Sequence, residues 1–319
     1  MKILAPLNNR EDIKRFSAAG ADELYFGFYD ESWTEKFGEY MDINRMSGFN
    51  KNANRYDFSE IINIIQEIRL ENMDAFITMN ANVYSTEALA WIKEEYFSRL
   101  IQAGVSGVIV STEDIAIAAL NAGLQVVAST LLGLYNSDII QYYYSIGIRR
   151  IIVPRDLSLY EIAMIKDSFP DIELEVFFMR RGCVFSDAYC LGAHRKECES
   201  ICGTLKKINR QIITTPSITY NQQSIELNDT LYHEHFHVDT CGMCSLYRMK
   251  KMGVTSLKIV GRADVPESVA EDIITTKKNM VILQDCINEE DYLSKMIMPK
   301  NCDKQCQTGL SCYYPEVRF

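Results

Sequence analysis

The chain has 319 residues, 43 acidic against 33 basic side chains, and 47% hydrophobic content. That length can bury one large core or two smaller ones, and 24% charged with 11% aromatic residues excludes extensive disorder. A formal charge of −10 argues against a surface built for non-specific nucleic-acid binding, while leaving room for a local basic pocket.

Short apolar runs alternate with amphipathic stretches along most of the chain. Met1–Ala5 reads as a strand, Glu11–Ala19 as a helix and Glu23–Phe28 as a second strand. A polar loop rich in Gly and Asn follows, then a helix over Ser59–Glu71 with Ile61, Ile62, Ile64, Ile65 and Ile68 at helical spacing. Strand Asp74–Met79, helix Thr86–Ala103, strand Gly107–Val110 and helix Thr112–Ala122 come next, the last stopped at Gly123. Strand Gln125–Ser129, helix Ser137–Ser145, strand Arg150–Val153, helix Ser158–Asp167 and strand Leu174–Phe178 continue the rhythm. It breaks for about 75 residues and resumes with strand Thr255–Val260 and helix Pro266–Lys278.

Eight strands of nearly continuous apolar character in β/α alternation predict a TIM-like (β/α)8 barrel, with a doubly wound open sheet as the alternative. No Gly-rich phosphate loop follows any strand. The predicted organisation is a barrel over residues 1–280, with a Cys-rich insertion at 180–250, after strand seven, and a Cys-rich extension at 281–319. The insertion leaves a strand's C-terminal end, the face where barrels carry their chemistry. No apolar run approaches the roughly 18 residues of a membrane span. The opening MKILAPLNNREDIKRF turns polar too early for a secretory signal, so a cytoplasmic protein is expected.

Of 10 Cys, none precedes position 183. Cys183, Cys190, Cys198 and Cys202 follow a C-x6-C-x7-C-x3-C pattern, which in a reducing compartment suits a [4Fe–4S] cluster, with zinc as the runner-up. Cys241, Cys244, Cys302, Cys306 and Cys312 offer a second metal group or a second cluster, while the bland reading is loop thiols or spare ligands for the first cluster. Cys286 reads as a core residue. His233, His235 and His237 share a face if extended and are either a metal face or a solvated edge. His194, inside the first cysteine group, is placed to hydrogen-bond sulfur or donate a proton.

Several segments together resemble the peptidase U32 family. They are PLNNREDIKRFSAAGADELYFGF with Tyr25 and Gly27, VVASTLLGLYN with Ser129, Thr130 and Asn136, and IIVPRDLSLYEI with Arg155 and Asp156. LEVFFMRRGCVFSDAYC carries Glu175, Phe177, Cys183 and Cys190, HRKECESICG carries the C-x3-C, and MGVTSLKIVGR carries Gly253, Lys258, Gly261 and Arg262. The chain departs from the pattern at Arg181-Gly182 for His-Gly, at Val260 for Glu, and in the short spacer from Cys190 to Cys198. The resemblance implies cluster ligation by Cys183, Cys190, Cys198 and Cys202. It also implies one of two activities: collagenase-like proteolysis, or oxygen-independent hydroxylation of tRNA, ribosomal RNA or, in a heterodimer, the ubiquinone ring. Prephenate is the implied oxygen donor.

The leading expectation is therefore cluster-dependent hydroxylation or a related transfer at the barrel mouth, on an RNA base or a small metabolite. Arg155 and Arg262 would bind the carboxylates of an anionic donor, since guanidinium pairs with both oxygens. Tyr25, Asn80 and Ser129 are expected to line the pocket with Glu175 and Lys258. A peptidase would need a Cys with His194, or a zinc site on the three alternating His. A cluster-bearing subunit docked to a second barrel of the same family is the third expectation. An RNA enzyme should gather Lys206, Lys207, Arg210, Arg248, Lys250 and Lys251 around the mouth.

Overall fold

Eight parallel strands close into a barrel in sequence order, β1 against β8. They are β1 (Lys2–Pro6), β2 (Glu23–Phe26), β3 (Asp74–Met79), β4 (Gly107–Val110), β5 (Val126–Ala128), β6 (Arg150–Ile152), β7 (Glu173–Met179) and β8 (Ser256–Ile259). This computed structural model describes residues 1–39, 41–183, 186–190, 240–299, 306 and 312–317. The Cys-rich stretch from 191 to 239 lies outside the described residues, and with it His194, Cys198, Cys202, His233, His235 and His237. The (β/α)8 expectation holds, and the open-sheet alternative falls because Lys2, Ile3 and Leu4 pair with Ser256, Leu257 and Lys258.

The helices form where the sequence caps them. Helix α1 (Asp12–Ala19) ends at Gly20, whose φ of 103° is costly for any residue with a Cβ. Helix α3 (Phe58–Leu70) starts with a capping box between Asp57 and Glu60 and buries Ile61, Ile64, Ile65 and Ile68. The predicted polar loop before it holds the short helix α2 (Glu31–Phe37), capped by Asp30 and anchored by Trp33. A single buried Trp carries no helical period, which is why the pattern did not show it.

The helix expected over Thr86–Ala103 is interrupted. Helix α4 (Thr86–Trp91) and α5 (Ser98–Ala103) flank a π-helical stretch over Ile92–Phe97, which turns Ile92, Tyr96 and Phe97 inward. Helices α6 (Glu113–Asn121), α7 (Ser137–Ser145) and α8 (Leu159–Ser168) follow their strands. Helix α9 (Leu246–Met252) leads into β8, and α10 (Pro266–Ile282) and α11 (Glu289–Lys295) complete the described helices.

Alternate residues of the strands fill the barrel interior. Its lower part is a charge network: Arg150 binds Glu23 through two hydrogen bonds of 2.8 and 2.5 Å and Glu175 through two more of 3.1 and 3.0 Å. Ser256 Oγ donates to Glu23 at 2.9 Å, and Lys258 Nζ pairs with Glu175 Oε1 at 2.6 Å. Burial alone would raise the Glu23 carboxyl, but Arg150 and then Lys2 pull it below the ordinary value.

Candidate active site at the barrel mouth

Above this network the strands end in a second layer of charge. Arg262 follows β8 in a turn opened by Gly261 (φ 115°) and points into the barrel, 7% exposed. Its Nη1 donates to Asn54 Oδ1 at 3.2 Å and to Thr78 Oγ1 at 3.0 Å, and its Nη2 to Asn44 Oδ1 at 3.2 Å. All three partners are neutral. Burial therefore pulls the guanidinium down to about 10, with the nearby Arg45 charge acting the same way and Tyr25 opposing. A Cβ at Gly27 would collide with the Asn54, Arg262 and Asn44 side chains, so the glycine of the Tyr-x-Gly segment makes room for this cradle.

Lys258 and Tyr25 lie together beneath it. The ammonium sits 4.2 Å from the centre of the Tyr25 ring, and burial lowers its pKa against the pull of Glu175. Burial likewise raises the Tyr25 phenol well above its ordinary value, which keeps it protonated at neutral pH.

On the other side of the mouth, β7 runs into the first two cysteines. Asp187, between Cys183 and Cys190, is 1% exposed and accepts from Arg45 at 2.7 Å and from Arg155 at 2.6 Å. Burial pushes its carboxyl up, but Arg155 and Arg45 overcome this and hold it at about 2. Arg155 also donates to Arg181 O at 2.8 Å and lies 4.1 Å from the centre of the Phe177 ring. The expected anion-binding role of Arg155 thus meets a guanidinium already paired with Asp187. Cys183 adds to the field at Arg155, and Cys190 is buried.

Arg180 and Arg181 take left-handed backbone conformations, φ 68° and 46°, just before Gly182 and Cys183. Both guanidinia land on Asp264, and Arg180 also binds Asp272 at 2.9 Å. Arg180 N donates to Thr240 O at 2.7 Å and Gly182 N to Thr240 Oγ1 at 3.0 Å, joining the two ends of the segment outside the described residues.

The far end of the chain packs against the same place. Cys241 bridges Met179 on one side and Cys312 on the other. Tyr313 stacks on Phe177 with ring centres 6.1 Å apart and donates to Arg180 O, while Tyr314 donates to Phe177 O at 2.8 Å. Glu316 accepts from Leu159 N at 2.6 Å, at the start of α8.

Other expected residues take supporting places. Asn80 Oδ1 accepts from Arg45 N at 3.2 Å, and Ser129 caps the turn at Thr130–Leu132 through Leu131 N. Glu175 belongs to the buried network under Lys258. Cys244 and Cys306 are half-buried, and Cys302 lies outside the described residues. Among the described residues, no three His, Cys, Asp or Glu side chains stand together as a metal site. Arg248 pairs with Glu289 at 2.6 Å, Lys250 reaches Leu283 O and Lys251 lies by Tyr247, so these three serve the outer helices; Lys206, Lys207 and Arg210 lie outside the described residues. No described helix is long and apolar enough to cross a membrane.

The residues that sequence reasoning missed are Asn44, Arg45, Asn54, Thr78, Asp187, Asp264 and Tyr313. Only Asp187 had a local signal, as an acid between two candidate ligands.

The sequence profile of Peptidase family U32 matches residues 8–312. The chain belongs to that family. It is 23% identical over 313 residues to "tRNA hydroxylation protein P1" of Bacillus subtilis, covering 95% of this chain and 68% of that protein. It is 21% identical over 279 residues to "Collagenase" of Porphyromonas gingivalis, covering 84% of this chain and 62% of that one. Among solved structures, the U32 peptidase Mk0906 aligns with a TM-score of 0.45 and 12% identity, over 63% of this chain and 86% of that one.

Proposed function

We propose that this U32 protein catalyses an iron–sulfur-dependent, oxygen-independent hydroxylation or related transfer, using a small carboxylate-bearing donor bound at the barrel mouth. The observation that carries the reading is Arg262, a buried guanidinium held, among the described residues, only by neutral oxygens. Among the described residues, Arg150 and Lys258 pair with Glu23 and Glu175, and Arg150 also reaches Glu173 at 3.8 Å, while no carboxylate bonds Arg262, whose buried charge calls for an anion. Likeness to relatives named for tRNA hydroxylation supports the reaction class.

Cys183 and Cys190, with Cys198 and Cys202, are the thiolates that would hold a [4Fe–4S] cluster. The donor chemistry fits at the described pair: two thiols flank a buried Asp187 that pins their loop to Arg45 and Arg155. When bound, such a cluster supplies Lewis-acid or electron-transfer chemistry. The chain's own groups do the remaining work. Arg262 binds and orients a donor carboxylate, and Lys258 with Glu175 holds a proton below it. Tyr313 and Phe177 cover the flank against water.

Of the six basic residues an RNA enzyme would gather at the mouth, the three described ones, Arg248, Lys250 and Lys251, serve the outer helices, which supports a small anionic metabolite such as prephenate. The collagenase likeness supports peptidase activity as the second reading.

The test is iron and acid-labile sulfide on anaerobically purified protein, with a visible spectrum. About four irons per chain, lost in Cys190→Ala and kept in Cys286→Ala, support one cluster on the proposed thiols. About eight would add a second group drawn from Cys241, Cys244, Cys302, Cys306 and Cys312. Zinc without sulfide would overturn the redox reading and favour the peptidase.

A further inference from the structure

Lys258 has a use that ion pairing with Glu175 does not exhaust. Among the described lysines it is buried in the barrel axis, 6% exposed, while the charge network below it is complete without it: Arg150 already binds both Glu23 and Glu175. Its stem rises from β8 between Glu175 on one side and the Tyr25 ring on the other, and four residues later the same strand end delivers Arg262. The Arg262 charge is felt at the Lys258 ammonium, as is that of Arg150, and burial works in the same direction. Every one of these influences favours the neutral amine except Glu175, and a carboxylate 2.6 Å away is also the base that could take the proton.

We infer that Lys258 forms an imine with the carbonyl of a 2-oxo carboxylate whose acid group is held by Arg262. The inference rests on the proposed anion site and names the substrate class that site would take. The geometry supports it because a 2-oxo acid carries its carbonyl one bond from its carboxylate, so a single guanidinium fixes the electrophile relative to an amine on the same strand end. The step balances without a further reagent. The Lys258 ammonium passes a proton to Glu175 and its lone pair attacks the carbonyl carbon, forming the C–N bond. The carbonyl oxygen, protonated by the returning proton and by the second amine proton, leaves as water. The ammonium and the ketone become a protonated imine and one water, with no change in total charge or oxidation state. Tyr25, kept protonated by burial, closes the side of the amine and holds solvent away from the imine.

The experiment treats the full chain with pyruvate and sodium borohydride, then maps the reduced adduct by peptide mass spectrometry. The expected result is one saturable pyruvyl adduct on Lys258, with the surface lysines serving as internal controls. Malonate, which has carboxylates but no ketone, should protect against the adduct. Arg262→Met should cut the yield at low pyruvate by about tenfold or more, the loss of one charge-assisted contact. Near-ultraviolet circular dichroism of the same variant separates this loss from a general loss of structure. Lys258→Met removes the adduct, and since that variant leaves Glu175 paired with Arg150, its folding is checked by near-ultraviolet circular dichroism. Labelling spread over surface lysines, or none at Lys258, would overturn the inference. Malonate binding is measured separately by calorimetry, which keeps the two claims apart: binding without an adduct removes the imine and leaves the anion site, whereas no binding and no adduct removes both.

Discussion

The lower and upper layers of the barrel interior both hold buried arginine, yet they solve the charge problem in opposite ways. In the lower layer Arg150 is clasped by two carboxylates, Glu23 and Glu175, with every contact between 2.5 and 3.1 Å. In the upper layer Arg262 meets Asn44, Asn54 and Thr78 and, among the described residues, no acid. Burial cost is similar in the two places, so the difference lies in what compensates it. A completed pair specifies the barrel, whereas an uncompensated charge at the open end is a standing demand for an anion. The two layers meet at Lys258, paired downward with Glu175 and facing Arg262 above.

That contrast can be broken from the bottom. Arg150→Met would leave Glu23 and Glu175 buried with reduced compensation, and should cost about 3–5 kcal/mol in urea unfolding. A loss below about 1 kcal/mol would mean the lower network is not structural.

A second prediction concerns acid. The Asp187 carboxyl is held at about 2 in the folded chain, below its ordinary value of 3.8. Its contribution is therefore complete above about pH 4 and is lost as pH falls toward about 2, an effect worth about 2–3 kcal/mol. Asp187→Asn should be less stable at neutral pH by about that amount and should show a flatter acid limb in pH-dependent unfolding. An unchanged acid limb would detach Asp187 from Arg45 and Arg155.

Gly27→Ala sharpens the upper layer. The added methyl meets Asn54, Arg262 and Asn44, so about 1–3 kcal/mol of stability should be lost together with anion binding. The docked chain end gives a smaller effect: Glu316→Gln weakens the contact with Leu159 N and should cost about 1 kcal/mol or less by thermal unfolding. Arg262→Met closes the series with the least change, within about 1 kcal/mol, because it removes a buried charge. Asn44 Nδ2 still donates to Asn54 Oδ1, and Thr78 Oγ1 still donates to Phe26 O.

The strands and most helices were legible because apolar period and capping residues act locally, as at Asp57–Glu60 and Ser158–Glu161. Arg262, Lys258, Glu175 and Tyr25 were picked out by the resemblance to the U32 family, with Tyr25 also a polar residue near a strand end and Arg262 just after the last strand. Their partners were not. Asn54 and Asn44 lie 208 and 218 residues from Arg262, in a stretch that reads only as a polar loop. Nothing local signals that this loop folds back across the barrel mouth. Asp264 is similar, since its bonds to Arg180 and Arg181 span 84 and 83 residues. Tyr313 sits in a run whose cysteines drew the eye toward metal, while its ring packs on Phe177.

The most direct test of the uncompensated charge is calorimetric titration of malonate into the full chain and into Arg262→Met at neutral pH. The account predicts one malonate per chain, weakened by added salt and by about tenfold or more in Arg262→Met. Equal affinity in the two proteins, or no binding to the unaltered chain, would contradict it.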